Sequence, residues 1–244
     1  MQKLVGLVRR CVDDYRMIEA GDRIAAGVSG GKDSLALLVL LAALREYHPS
    51  GFQLKAVTID MGLGMDYSPV AELCQRLEVP YARVQTEIGP IIFDYRKEKN
   101  PCSMCAKMRR GALSQAVIDL GCNKVALGHH YDDAVETFFL SLFYEGRLSC
   151  FQPVTVLDRT GITQIRPMLY LSEKTVDNFA FREKLPVVKN RCPADKQTKR
   201  QEVKGLVYEL SGRYPDLKER VFGAMQRLPL PEWEPKGRYK RPKP

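Results

Sequence analysis

Six consecutive residues, Ser29-Gly30-Gly31-Lys32-Asp33-Ser34, put two hydroxyls, two glycines, an ammonium and a carboxylate in one short turn. The apolar run Ile24-Ala25-Ala26-Gly27-Val28 precedes them and Leu35-Ala36-Leu37-Leu38-Val39-Leu40-Leu41 follows, so they read as the turn from a buried strand into a helix. At such a turn the first helical N–H groups have no partner within the helix, and the positive end of the helix dipole points outward. Lys32, Ser29 and Ser34 add donors, and the missing β-carbons at Gly30 and Gly31 let a phosphate oxygen approach the backbone. The chemistry this implies is phosphate binding.

The turn is not a Walker A loop, which needs an upstream glycine where this chain has Val28 or Ala26, and a hydroxyl after the lysine where it has Asp33. Gly27-Val28-Ser29-Gly30 likewise fails to supply a dinucleotide fingerprint. The hexapeptide resembles the PP-loop, the Ser-Gly-Gly-x-Asp-Ser signature of ATP pyrophosphatases, which cleave ATP between its α and β phosphates.

A second chemical segment is Leu127-Gly128-His129-His130-Tyr131-Asp132-Asp133, followed by Ala134-Val135-Glu136-Thr137. Asp132 and Asp133 are candidate ligands for a magnesium ion bridging ATP phosphates, because that ion prefers carboxylate and phosphate oxygens; capping of the following helix is the alternative. The third segment is Pro101-Cys102-Ser103-Met104-Cys105, which opens a helix carrying Lys107, Arg109 and Arg110 and places two thiols where a helix N-terminus lowers thiol pKa. Cys192, in Asn190-Arg191-Cys192-Pro193-Ala194-Asp195, is a third candidate ligand, whereas Cys11, Cys74, Cys122 and Cys150 read as spectator thiols. Arg109 and Arg110 are candidates for holding an activated base or RNA phosphates.

Taken in order, the PP-loop, Pro-Cys-x-x-Cys with Arg109-Arg110-Gly111-Ala112-Leu113, the Leu127–Asp133 segment, Ile165-Arg166-Pro167-Met168-Leu169 and a late cysteine resemble the tRNA 2-thiocytidine synthetase (TtcA) family over residues 20 to 211. That resemblance implies a 4Fe-4S cluster on Cys102, Cys105 and Cys192, with one iron open to sulfur. Three thiolates suit such a cluster, while zinc in a structural site usually takes four ligands. It also implies ATP contacts from Ala26, Gly27, Val28, Ser29, Gly30, Gly31, Lys32, Asp33 and Ser34, from Ile59 and Asp60, and from Gly128, His129 and Asp133. Lys32, Asp33, Asp133 and Arg109 would be catalytic. The reaction implied is adenylation of a pyrimidine C2 carbonyl, cytidine 32 of tRNA in the family, followed by displacement of AMP by sulfur. Magnesium, a sulfur donor such as a cysteine desulfurase or free sulfide, and a homodimer belong to the same expectation. Many family members follow the late cysteine with x-x-Cys-Gly, whereas this chain continues Pro193-Ala194-Asp195 and retains the first cysteine alone. Two other readings stay open: a PP-loop ligase without a cluster, and an iron-sulfur RNA-binding module without catalysis.

To bring these segments together the chain must alternate strand and helix. Strands are expected at Ile24–Val28, Gln53–Ile59, Tyr81–Gln85, Lys124–Leu127 and Gln164–Pro167, and helices at 2–17, 35–41, 68–78, 106–120, 132–143, 172–184, 198–211 and 215–227. The pattern is α/β, a doubly wound parallel sheet with right-handed crossovers and ligands at the carboxyl ends of the strands. The expected organisation is an N-terminal helix (1–19), a PP-loop nucleotide-binding domain of adenine nucleotide α-hydrolase type (20–170), a helical extension carrying the third cysteine (171–228) and a basic Pro-rich tail (229–244).

A chain of 244 residues can bury one full core. The N-terminus breaks into charge too early for a signal-peptide core and no apolar run approaches a membrane span, so the expected location is the cytoplasm, with reduced or metal-bound thiols. The 38 basic against 29 acidic residues leave a net charge of +9, which favours a polyanionic partner. The tail concentrates Lys236, Arg238, Lys240, Arg241 and Lys243 around Trp233 and Tyr239, a composition suited to a phosphate backbone or a base.

Overall fold

The computed structural model describes residues 1–96, 101–194 and 199–227; the basic tail and Asp195 lie outside the described residues. Six strands form one sheet: β1 (Arg23–Gly27), β2 (Gln53–Asp60), β3 (Tyr81–Gln85), β4 (Lys124–Ala126), β5 (Val154–Val156) and β6 (Thr163–Ile165). Their order is β3-β2-β1-β4-β6-β5. All neighbours are parallel except β5, which lies antiparallel to β6 with Val154 opposite Ile165.

The helices are α1 (Gln2–Asp14), α2 (Lys32–Arg45), α3 (Ser68–Arg76), a short α4 (Ile88–Pro90) that continues as a π turn through Tyr95, α5 (Pro101–Asp119), α6 (Tyr131–Glu145), α7 (Glu173–Arg182), α8 (Lys199–Arg213) and α9 (Leu217–Arg227). α2 is apolar around its whole circumference from Leu35 to Ala42, the mark of a helix buried on all sides. It lies on one face of the sheet, with α1 and α7 packed against it. Val5, Val8 and Val12, at helical spacing on α1, enter the same core as Ile24, Leu38 and Phe179. Packing therefore joins α1 and α7 to the nucleotide-binding sheet in one core. The opposite face is covered by α5, whose Ala116 and Val117 meet Ala25, Val57 and Val125.

Winding to β3 and then crossing to β4 beside β1 makes a switch point between β1 and β4, where a doubly wound sheet opens a crevice at its carboxyl end. The PP-loop leaves β1 there and the Leu127–Asp133 segment leaves β4. Gly128 permits their close approach, since a β-carbon on it would stand 3.0 Å from the backbone of Asp33. Among the described residues no helix is long and apolar enough to cross a membrane.

Candidate active site

The PP-loop is held largely by its own hydroxyls. Ser34 Oγ donates to the Gly31 carbonyl at 2.9 Å and accepts from the Ser29 N–H at 3.1 Å, so the first turn of α2 is closed onto the strand end. Gly30 is left-handed at φ +85°, and a β-carbon there would lie 2.9 Å from Cβ of Val188. The Val188 N–H donates to the Gly30 carbonyl at 2.9 Å, which docks the segment after α7 on the loop.

A cleft of about 530 Å³ opens over the switch point, within the usual range of roughly 300–1,000 Å³ for small-molecule sites. Gly27, Val28, Ser29, Gly31, Asp33 and Ser34 line it from the PP-loop side, and Ile59 with Val57 from the end of β2. Gly128, His129 and Asp133 come from β4–α6, and Arg109 and Arg110 from α5.

Lys32, Gly30, Ala26 and Asp60 stand apart from this lining. Ala26 is fully buried inside β1. Asp60 is buried too, accepting from the Gly62 N–H and paired with Arg83, whose guanidinium also stacks on the Tyr67 ring. Lys32 Nζ sits 2.8 Å from Asp177, 3.0 Å from Asp33 and 3.5 Å from Glu173. Burial works against its charge, but Asp177 and Asp33 outweigh it and hold the ammonium above the ordinary lysine range. The lysine is thus a permanent cation fastened between α2 and α7.

The two aspartates of α6 do not face the same space. His130 is the N-cap, its Nδ1 accepting from the Asp133 N–H at 3.4 Å while Asp133 accepts from the His130 N–H at 2.8 Å, a capping box with histidine in the cap position. Asp133 lines the cleft and receives Arg200 at 2.8 Å. Asp132 is turned inward, taking Lys218 of α9 and the Glu173 N–H of α7. Burial opposes its ionisation, yet these two donors hold the carboxyl below the usual aspartate value. Adjacent helical residues point about 100° apart, so the expected pairing of Asp132 with Asp133 on one cation is replaced by a cleft residue and an interhelix clamp. The carboxylate that shares the cleft with Asp133 is Asp33.

His129 is half-buried at the cleft wall, its ring 4.9 Å from Phe151, with its buried Nδ1 lacking a protein hydrogen-bond partner. Burial, with Arg166 and Arg200 nearby, pushes its pKa down to about 4 against the pull of Asp133. It presents a neutral ring. Arg200, which also reaches Glu136 at 3.6 Å, belongs to no motif in the sequence; it reaches α6 from 67 residues away in the chain.

Cys102 and Cys105 lie in the first turn of α5, Cys102 exposed and Cys105 half-buried. Cys192, half-buried, follows the segment docked on Gly30. Burial raises the Cys105 pKa, the nearby Arg109 guanidinium opposes this, and the Cys192 and Cys102 thiols raise it further. The lowering expected from the helix N-terminus is therefore overridden at Cys105 by burial and by two thiols sharing its surroundings. The other thiols lie elsewhere, Cys11, Cys74 and Cys122 being buried in the core and Cys150 donating to the Ala134 carbonyl at 3.4 Å. Among the described residues no three His, Cys, Asp or Glu side chains close around a single metal-ion position. The donor set of Cys102, Cys105 and Cys192, with the Arg109 cation to offset thiolate charge, fits a thiolate-held iron-sulfur group.

Strand order, phosphate-binding turn and cleft define an α/β nucleotide-binding protein of the PP-loop class, and the PP-loop domain family matches residues 7–210. A tRNA-cytidine(32) 2-sulfurtransferase of Pelobacter propionicus is 40% identical, the match covering 93% of this chain and 86% of that protein. One of Nitrosomonas europaea is 34% identical, covering 98% and 77%. The chain belongs to the tRNA-cytidine(32) 2-sulfurtransferase family. In fold it is similar to the U34-tRNA thiolase NcsA from Methanococcus maripaludis, whose structure contains its 4Fe-4S cluster; the TM-score is 0.75 at 24% identity, over 93% of this chain and 77% of that one.

Proposed function

We propose that this protein is an ATP-dependent, iron-sulfur-dependent sulfurtransferase that converts cytidine 32 of tRNA to 2-thiocytidine. The observation that carries the reading is Arg109, which lines the nucleotide cleft and whose charge acts on the Cys105 thiol, so the phosphate-binding turn and the three thiols serve one reaction space.

ATP binds in the cleft with its phosphates on the Ser29–Ser34 turn and its base toward Val57 and Ile59. The cytidine C2 oxygen attacks the α-phosphorus, pyrophosphate departs, and the base carries AMP on that oxygen. Sulfide then attacks C2, and AMP leaves with the oxygen. The free N–H groups of α2 stabilise the pyrophosphate, a task in which losing one donor costs about 10²- to 10³-fold in rate, and Lys32, held just outside the cleft lining by Asp177 and Asp33, adds its charge by exchanging those carboxylates for the phosphates. Asp133 and Asp33 are the cleft carboxylates that would hold magnesium, which neutralises phosphate charge as the leaving group develops. Cys102, Cys105 and Cys192 would hold a 4Fe-4S cluster, which would supply iron for binding the incoming sulfur. Arg109 offsets negative charge between the two halves. A cysteine desulfurase or free sulfide is the sulfur source, the cytoplasm the location and a homodimer the assembly in this reading.

The test is anaerobic incubation of unmodified tRNA with the protein, ATP, magnesium and sulfide, followed by nucleoside mass spectrometry. We expect ATP-dependent 2-thiocytidine with stoichiometric AMP and pyrophosphate. ATP cleavage that proceeds without RNA and yields no thiolated base would overturn the reading.

A further inference from the structure

A second trough, of about 650 Å³, runs along the outer side of α5 and is closed on its far side by the turn joining β5 to β6. On α5 the lining residues Ser103, Lys107, Arg110 and Ser114 recur at three- and four-residue steps and so share one helical face. Met104, Met108 and Ala112 of the same helix pack instead toward Met61, Ile88 and Ile92, so the trough face is left to solvent at Ser103, Lys107 and Arg110 and closes at the buried Ser114. On the facing turn the Leu157 N–H donates to the Ile162 carbonyl at 2.9 Å, and the Gly161 N–H donates to the Leu157 carbonyl at 2.8 Å. That closed turn holds Arg159 at the surface.

Lys107, Arg110 and Arg159 are all exposed, and among the described residues none of them has a carboxylate within ion-pair distance. Three unpaired cations along one trough repel each other, and a polyanion would relieve that repulsion while releasing its own counterions. Ser103 and Thr160 place hydroxyls among them. Arg110 lines both this trough and the nucleotide cleft, so the two adjoin at that side chain.

We infer that the trough between α5 and the β5–β6 turn holds the phosphodiester backbone of the RNA whose base enters the cleft. This rests on the reading of the protein as an RNA-thiolating enzyme and adds to it the path by which the RNA arrives. The groups engaged are phosphates, so the trough fixes position and carries no sequence information. Asp158, the one carboxylate of the trough, faces the same path and weakens it.

The test uses the full chain with Lys107→Gln and Arg159→Gln combined, and separately Asp158→Asn. Binding of unmodified tRNA is measured across a salt series, together with the KM and kcat of thiolation. The double variant is expected to bind several-fold more weakly, with a slope of log K against log salt that is smaller by about 0.7–0.9 for each phosphate no longer neutralised. Its KM for tRNA should rise while kcat and the KM for ATP hold, and Asp158→Asn should tighten binding. Wild-type protein that thiolates tRNA while the double variant keeps its salt slope and KM would overturn the trough and leave the reaction intact. Salt-dependent binding that is lost in the double variant, with no thiocytidine formed by the wild type, would overturn the reaction and leave the trough standing.

Discussion

The nucleotide half and the thiol half of the proposed site are built by opposite means, no cysteine being among the residues that line the cleft. The groups proposed to bind phosphate sit on strand ends and a helix N-terminus, fastened by Ser34 to Gly31, by the His130–Asp133 box and by Lys32 between Asp33 and Asp177. The thiols sit on one outer helical turn and on a loop, and their link to the rigid half runs through Arg109 and through Val188 on Gly30. A group that must stabilise charge at a fixed point gains from preorganisation. A site that must receive sulfur from outside needs access instead, and Cys102 is exposed.

If the halves are separable, Lys32→Ala should break only the first. We expect RNA-dependent pyrophosphate release to fall by about 10²- to 10³-fold, with iron and sulfide content unchanged; undiminished release would remove Lys32 from the chemistry. Gly30→Ala should injure both, because its left-handed backbone costs a side chain about 1–2 kcal/mol and its β-carbon displaces Val188 and with it the approach of Cys192. Loss of ATP affinity without loss of bound iron in that variant would show that the docked segment does not position the third thiol.

A smaller effect belongs to the cleft wall. His129 has a folded pKa of about 4, below the ordinary value near 6.5, so the unfolded chain binds more protons between those values. The contribution of His129 to stability is complete above about pH 6.5 and declines as pH falls toward 4. Denaturant titrations should show this slope in the wild type and a shallower one in His129→Gln; equal slopes would mean that the ring is not held neutral by burial.

Local chemistry makes much of this legible. The Ser29–Ser34 turn and the Leu127–Asp133 segment announce themselves because a phosphate site needs particular residues at adjacent positions, and Pro101–Cys105 because a helix start brings two thiols together. The sheet follows from alternating apolar runs, except for β5. Three residues, Val154–Val156, on an antiparallel edge are too few for a period to emerge. Arg200 on Asp133 and Asp177 on Lys32 are invisible for a different reason, since tertiary ion pairs leave no spacing rule in the sequence. Asp132 misleads because neighbours in sequence suggest neighbours in space, which a helix forbids.

The most direct measurement is the iron and acid-labile sulfide content, with the absorption spectrum, of anaerobically purified wild-type protein beside Cys102→Ala, Cys105→Ala and Cys192→Ala. The account predicts a cluster in the wild type and its loss in each of the three variants. An intact spectrum in Cys192→Ala, or stoichiometric zinc in place of iron in the wild type, would contradict it.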